Sequence, residues 1–228
     1  MVNEFPNDFC FIFVPYLAMF IFVVGTILRY RWILDSCASL TSQFREKHFW
    51  ALAPFHYGVV IVLLGHIVAF VLPHKILKWN SQPLRLYILE VTALIFGLLT
   101  VVGLVGAILR RWAVPKVRRA TNGLDWLVLA LLLVQAASGV GVAIFHPWGS
   151  SWFAAALSPY LWSLLRFSPN LGYVALMPSL VRVHIVLAYV IIGIAPFTRL
   201  VHILVAPNPY LWRRPQVVRW QRASKEAA

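Results

Sequence analysis

Charge is what this sequence has least of. Only 12% of its 228 residues are Asp, Glu, Lys or Arg, and seven acids stand against twenty bases. A soluble domain of this length normally carries about twice that charged fraction. With 61% apolar residues and a mean hydropathy of +0.79, the composition excludes an ordinary water-soluble domain. Cysteine is also scarce. Cys10 and Cys37 lie in different segments and form no CxxC or CxxCH, which excludes a covalent c-type haem and gives no sign of an iron–sulfur or zinc site. The start of the chain lacks bases, offering Glu4 and Asp8 where a signal peptide has Lys or Arg, so the first apolar run reads as a retained helix. The net charge of +13 does not indicate nucleic acid, because the bases sit in short clusters between long apolar runs. No internal repeat and no soluble domain is visible.

What is present in abundance is long apolar runs. A hydrocarbon core of about 30 Å needs roughly 20 such residues in a helix. Five runs qualify, at about 9–28, 49–72, 86–109, 124–145 and 180–206. Pro83 and Arg85 precede the third. The turn signal Thr121-Asn122-Gly123 precedes the fourth, and Pro207 and Pro209 follow the fifth. The expected fold is an all-α integral membrane bundle of five transmembrane helices in one domain, 1–228. Residues 146–179 are too long for a turn and read as an outer-face segment on or dipping into the membrane surface. Residues 207–228 form a basic tail.

Five spans put the termini on opposite sides. The connection after the first span, the connection after the third and the tail, with Arg199, hold fifteen of the twenty bases. Lys75, Lys78, Arg85, Arg166 and Arg182 are the five on the other side. The positive-inside rule then sets the N-terminus outside and the C-terminus in the cytoplasm. Trp32, Trp50, Trp79, Trp112, Trp126 and Trp148 fall at or just beyond expected helix ends, as an interfacial belt requires.

The second span reads FWALAPFHYGVVIVLLGHIVAFVLP and contains no acid or base, only His56 and His66. A ring nitrogen in lipid needs a partner, since an unsatisfied polar group there costs several kcal/mol. The fifth span adds His184 and His202. Their separation of eighteen residues is five full turns, so both share a face of a straight helix. His56 and His66 lie about 80° apart around their axis. The two spans run in opposite directions. His66 and His184 therefore lie toward the outer side, and His56 and His202 toward the cytoplasm. Two stacked cross-helix pairs suggest metal ligation. The axial separations differ, about 15 Å against about 27 Å, a mismatch to be absorbed by tilt or by a bend at Pro196. A haem plate of adjustable orientation tolerates that better than a bare ion. Gly65, Gly58 and Ala53 would leave room for a flat ligand. His74, His146 and His48 read as solvated surface residues.

FHYGVVIVLLGH followed by LPH, then LRRWAVPKVRRATNGLDW and VRVHIVLAYVIIGIAPFTRLVH, with LRY at 28–30, resemble the gamma (cytochrome b) subunit of membrane-bound respiratory nitrate reductase. The resemblance covers nearly the whole chain. It implies two b-type haems, an outer one between His66 and His184 and an inner one between His56 and His202. It also implies quinol oxidation near the outer haem in the inner membrane. Electrons would then pass to a cytoplasmic iron–sulfur (beta) subunit and through it to a molybdenum (alpha) subunit, the site of nitrate reduction.

A quinol pocket needs an apolar slot with a few polar groups at its mouth; Gly65, His66, Arg85 and Tyr87 stand near that level. Arg111, Arg118, Arg182 and Arg199 are each placed either to pair with haem propionates or to act as membrane-edge bases. Glu90 and Gln135 are the unusual polar residues inside spans, and Glu90 is a candidate proton-exit group or a side chain reaching water. The basic loops and tail offer a surface to a partner subunit or anionic lipid. Two other classes remain open at this level: a diheme anchor of a sulfur-compound or heterodisulfide reductase, and a haem-free transporter or structural anchor.

Overall fold

The computed structural model describes residues 9–36 and 49–198 together with Leu200. Every regular element in this part is helical. A π turn, Phe9–Phe13, leads into α1 (Val14–Ser36). Then come α2 (Phe49–Val71), α3 (Pro73–Asn80), α4 (Pro83–Ala113), α5 (Pro115–Arg119) and α6 (Gly123–Phe145). A short α7 (Gly149–Trp152), a π turn (Phe153–Leu157) and α8 (Ser158–Leu165) make up much of the long connection. After a 3-10 turn, Leu171–Tyr173, the last helix is α9 (Ser179–Ile194). Five stretches are long and apolar enough to cross a membrane: Phe9–Arg29, Ala53–Val71, Pro83–Ala113, Gly123–Phe145 and Ser179–Phe197. The chain is a multi-pass membrane protein.

The helix starts follow from local chemistry. Pro opens α3, α4 and α5, where its missing N–H is one that no intrahelical carbonyl needs. At α6 the Asn122 side chain accepts the Asp125 N–H at 2.8 Å, and Asp125 returns the contact to the Asn122 N–H at 3.1 Å. This capping box sits on the turn signal visible in the sequence.

The long helices form an open circuit in which α2 packs on α4, α4 on α6, α6 on α9, and α9 on α1. The tightest approach is α2 on α4, and glycine allows it. A Cβ on Gly103 would meet the Phe55 backbone, with Phe55 Cα at 2.7 Å. One on Gly58 would meet Thr100 Oγ1 and lie 2.8 Å from the Phe96 carbonyl. Gly58 is thus occupied by α4 and leaves no room for a flat ligand, contrary to the sequence reading. The outward residues of α2, among them Val60, Leu64, Ile67 and Val71, are exposed apolar surface, as lipid contact requires.

The circuit stays open between α2 and α1, and the 146–179 segment bridges them at one end of the bundle. The last carbonyls of α2 have no intrahelical partner. Ser158 Oγ donates to the Ala69 carbonyl at 3.0 Å and Trp162 Nε1 to the Phe70 carbonyl at 3.1 Å. On the α1 side, Tyr160 Oη donates to the Phe11 carbonyl at 2.6 Å, and Tyr16 Oη to the Leu164 carbonyl at 3.0 Å. Ser158 and Tyr160 are fully buried. Burial pushes the Tyr160 phenol up, so it remains a neutral donor. Phe11, Val142, Leu157, Leu164, Val181 and Ile185 pack around it, and the main apolar core therefore lies at this end.

One detail departs from the sequence reading, and a second adds to it. The fifth span does not run as one helix from 180 to 206. It ends at Ile194, tightens into a 3-10 turn at Ala195–Phe197 and is extended at Thr198, with φ −116° and ψ 177°. Pro196 supplies no N–H for the ladder, and Gly25 of α1 accommodates its ring, since a Cβ there would lie 3.0 Å from Pro196 Cβ. The straight-helix relation between His184 and His202 therefore does not apply. Glu90, in turn, anchors α7: its Oε1 accepts Ser150 N–H at 2.8 Å and Ser150 Oγ–H at 2.6 Å.

Candidate functional site

His66 lies on α2 little more than a turn from its end, on the side of the bundle bridged by α7 and α8. Its Nδ1 is 2.8 Å from the Val62 carbonyl one turn back. A carbonyl only accepts, so Nδ1 carries the proton and Nε2 keeps its lone pair. The ring stands edge-on to Phe153 of the π turn, 5.3 Å between centroids at 88°. Beside it, a Cβ on Gly65 would meet nothing within 4 Å, so this flank is open. The register set by Gly58 opposite Phe96 and Thr100 puts His66 level with residues 88–92 of α4, that is, with Glu90.

His184 projects from α9 against α6 and is half-buried. Its Nδ1 is 2.8 Å from Ser138 Oγ, and its Nε2 is 3.2 Å from the Gln135 amide nitrogen. Ser138 donates its one proton to the Gln135 carbonyl at 2.9 Å, so it accepts from His184 Nδ1–H. The Gln135 amide nitrogen can only donate, so it needs a lone pair on Nε2. Both neighbours assign the same tautomer, and it is the one His66 adopts. The helices that carry the two imidazoles, α2 and α9, are not neighbours in the packed circuit.

The other sequence candidates distribute as follows. His56, exposed on α2, meets the edge of Phe55 at 5.2 Å. His202 and Arg199 lie outside the described residues, and so does His48. Arg85 sets its guanidinium over Trp79 at 5.1 Å, and Tyr87 meets Trp148 edge-on at 5.3 Å. Both line the same end of α4 as Glu90, one to two turns beyond His66. Arg182 lies over the Phe11 ring at 5.6 Å, and Arg111 donates to the Ala107 carbonyl of its own helix at 3.2 Å. His146 is half-buried rather than solvated, lining a mostly apolar cleft of about 440 Å³ with Trp152, Tyr173, Met177 and Val181. Ser138 and Phe153 escaped sequence reasoning. The one available signal was the spacing Gln135-x-x-Ser138, which sets both side chains one turn apart on the face toward His184.

The donor atoms of His66 and His184 are of the kind that suits an iron porphyrin. A haem-ligating imidazole needs an Nε2 lone pair and an Nδ1–H held by an acceptor, and both rings have this arrangement. Gln135 Oε1 is buried without a hydrogen-bond partner, an uncommon state for a polar atom at the place where a further group would enter. Among the described residues no cluster of three or more His, Cys, Asp or Glu could hold a bare metal ion.

Comparison with known proteins gives one consistent result. The chain is 31% identical over 226 residues to the respiratory nitrate reductase 1 gamma chain of Escherichia coli (strain K12), covering 95% of this chain and 98% of that protein. It is 31% identical to the respiratory nitrate reductase 2 gamma chain of the same organism, covering 96% and 99%. It is 28% identical to the nitrate reductase gamma chain of Bacillus subtilis (strain 168), covering 90% and 94%. The family model described as nitrate reductase gamma subunit matches residues 7–221. This multi-pass membrane chain therefore belongs to the nitrate reductase gamma subunits, the membrane-anchored electron-transfer subunits of respiratory nitrate reductase.

Proposed function

We propose that this chain is a diheme cytochrome b that oxidises quinol at the outer face of the inner membrane and delivers electrons inward. The recipients are a cytoplasmic iron–sulfur (beta) subunit and, through it, a molybdenum (alpha) subunit. The observation that carries the reading is the shared tautomer of His66 and His184, with both Nδ1–H groups held and both Nε2 atoms left as lone-pair acceptors, that of His184 facing the Gln135 amide. His66 and His184 hold the outer haem, and His56 and His202 the inner one. When bound, the haems supply one-electron steps between a two-electron donor near one face and a partner at the other.

The chain's own residues do the rest. Quinol loses two protons and two electrons. The open flank at Gly65 admits an apolar ring beside His66, and Arg85 and Tyr87 stand at the polar mouth of that slot. The π turn carrying Phe153 sets a ring edge-on against His66 on one side. Arg111 and Arg182, and Arg199 by its position in the sequence, are the bases assigned to the haem carboxylates, with anionic lipid as the competing partner of the basic ends. Because the protons leave on the outer side while the electrons go inward, the orientation itself separates charge.

The test is copurification with spectroscopy. A tagged chain expressed in its own membrane should retain iron–sulfur and molybdenum subunits and show a b-type alpha band that a quinol analogue reduces. A chain without partners and without that band would overturn the proposal.

A further inference from the structure

We propose that Ser138 is a positioning residue for the His184 imidazole, its hydroxyl fixing the ring so that Nε2 is presented as a ligand and setting the potential of the iron it binds. This rests on the assignment of His184 as a haem ligand. The geometry is a relay of two bonds. His184 Nδ1–H donates to Ser138 Oγ at 2.8 Å, and Ser138 donates onward to the Gln135 carbonyl at 2.9 Å. The serine proton is committed to a backbone carbonyl, so its oxygen can only accept from the ring. That onward bond polarises the hydroxyl and strengthens it as an acceptor. Gly139 backs the Cε1 corner between the two nitrogens, since a Cβ there would lie 3.0 Å from His184 Cε1. The Gln135 amide nitrogen stands 3.2 Å from Nε2, so α6 meets the ring at three points and a ligated iron would take the place of the Gln135 contact.

The consequence is electronic as well as steric. An acceptor on Nδ1–H raises the basicity of the imidazole, and a more basic ligand favours ferric over ferrous iron. On α2 the same task falls to the Val62 carbonyl, which no side-chain substitution removes. At α9 it falls to a hydroxyl, which one substitution does remove. A serine inside a membrane helix ordinarily bonds back to its own helix. Ser138 does so and uses the oxygen's remaining lone pairs on a second helix.

The experiment uses the intact complex in detergent, with the alpha band followed through a redox titration for wild type and for Ser138→Ala, Ser138→Val and Ser138→Thr. His184→Ala identifies which midpoint belongs to the outer haem. In the Ala and Val variants both haems stay, the outer midpoint rises, the other does not move, and outer haem is lost to apomyoglobin about 10-fold faster. Ser138→Thr behaves as wild type. Val and Thr have nearly the same volume and differ in the hydroxyl, so that pair separates the hydrogen bond from packing even where Ser138→Ala impairs assembly. Unchanged midpoints and release rates in Ala and Val, or an equal shift in Thr, overturn the role of Ser138. Retention of both haems in His184→Ala overturns the ligand assignment itself, and this role with it. Loss of one haem there, with Ser138→Val unchanged, overturns only this role.

Discussion

An imidazole inside a membrane helix has to find a place for one N–H and one lone pair without water. At His66 and His184 the N–H is placed, by the Val62 carbonyl and by Ser138. The lone pair of His184 is met only by Gln135, whose own Oε1 is left without a partner. The four histidines stood out in the sequence as polar rings in two apolar spans. Gln135 was noticeable as a polar residue in lipid. Ser138 was not, since a helix can always satisfy a serine through its own carbonyls and the residue type says nothing about a second use. Tyr160 was equally silent, and its weight at residue scale can be measured. Tyr160→Phe removes a fully buried donor to the Phe11 carbonyl and should cost about 1–3 kcal/mol. The expected outcome is a lower unfolding midpoint in detergent with unchanged haem content.

At the scale of elements, α2 and α4 form the close pair and glycine sets their distance. Gly103→Ala forces a Cβ into the Phe55 backbone, and Gly58→Ala forces one onto the Phe96 carbonyl. Each should lower stability by roughly 1–3 kcal/mol, read as thermal unfolding of the purified complex. Gly106→Ala and Gly65→Ala, where a Cβ meets nothing within 4 Å, should not lower it. Gly65→Ala should instead raise KM for the quinol analogue, because it narrows the slot and leaves the fold alone. The spans could be read from run length, but not the glycine contacts, which depend on which helix is the neighbour. The end of α9 was misread for a related reason. Hydropathy continues past Pro196, whereas the regular helix stops at Ile194, and Gly25 on another helix is what accommodates the break. The α7–α8 segment was legible as apolar and interrupted by Pro159. Its bridging of α1 and α2 follows from hydroxyl-to-carbonyl bonds that no periodicity reveals.

For the whole molecule, the claims are orientation and relay. The distribution of bases predicts an external N-terminus and a cytoplasmic C-terminus. Alkaline phosphatase fused after residue 228 should be inactive there and active when inserted in the connection near His74, and the reverse pattern would invert the proposed electron direction. The relay claim rests on four imidazoles acting in two pairs. It is tested most directly by haem content per chain, measured with redox titration, for His56→Ala, His66→Ala, His184→Ala and His202→Ala. Two haems are expected in wild type and one in each variant. The same haem should be missing from His66→Ala and His184→Ala, and the other from His56→Ala and His202→Ala. An unchanged stoichiometry, or loss that pairs His66 with His202, would contradict it.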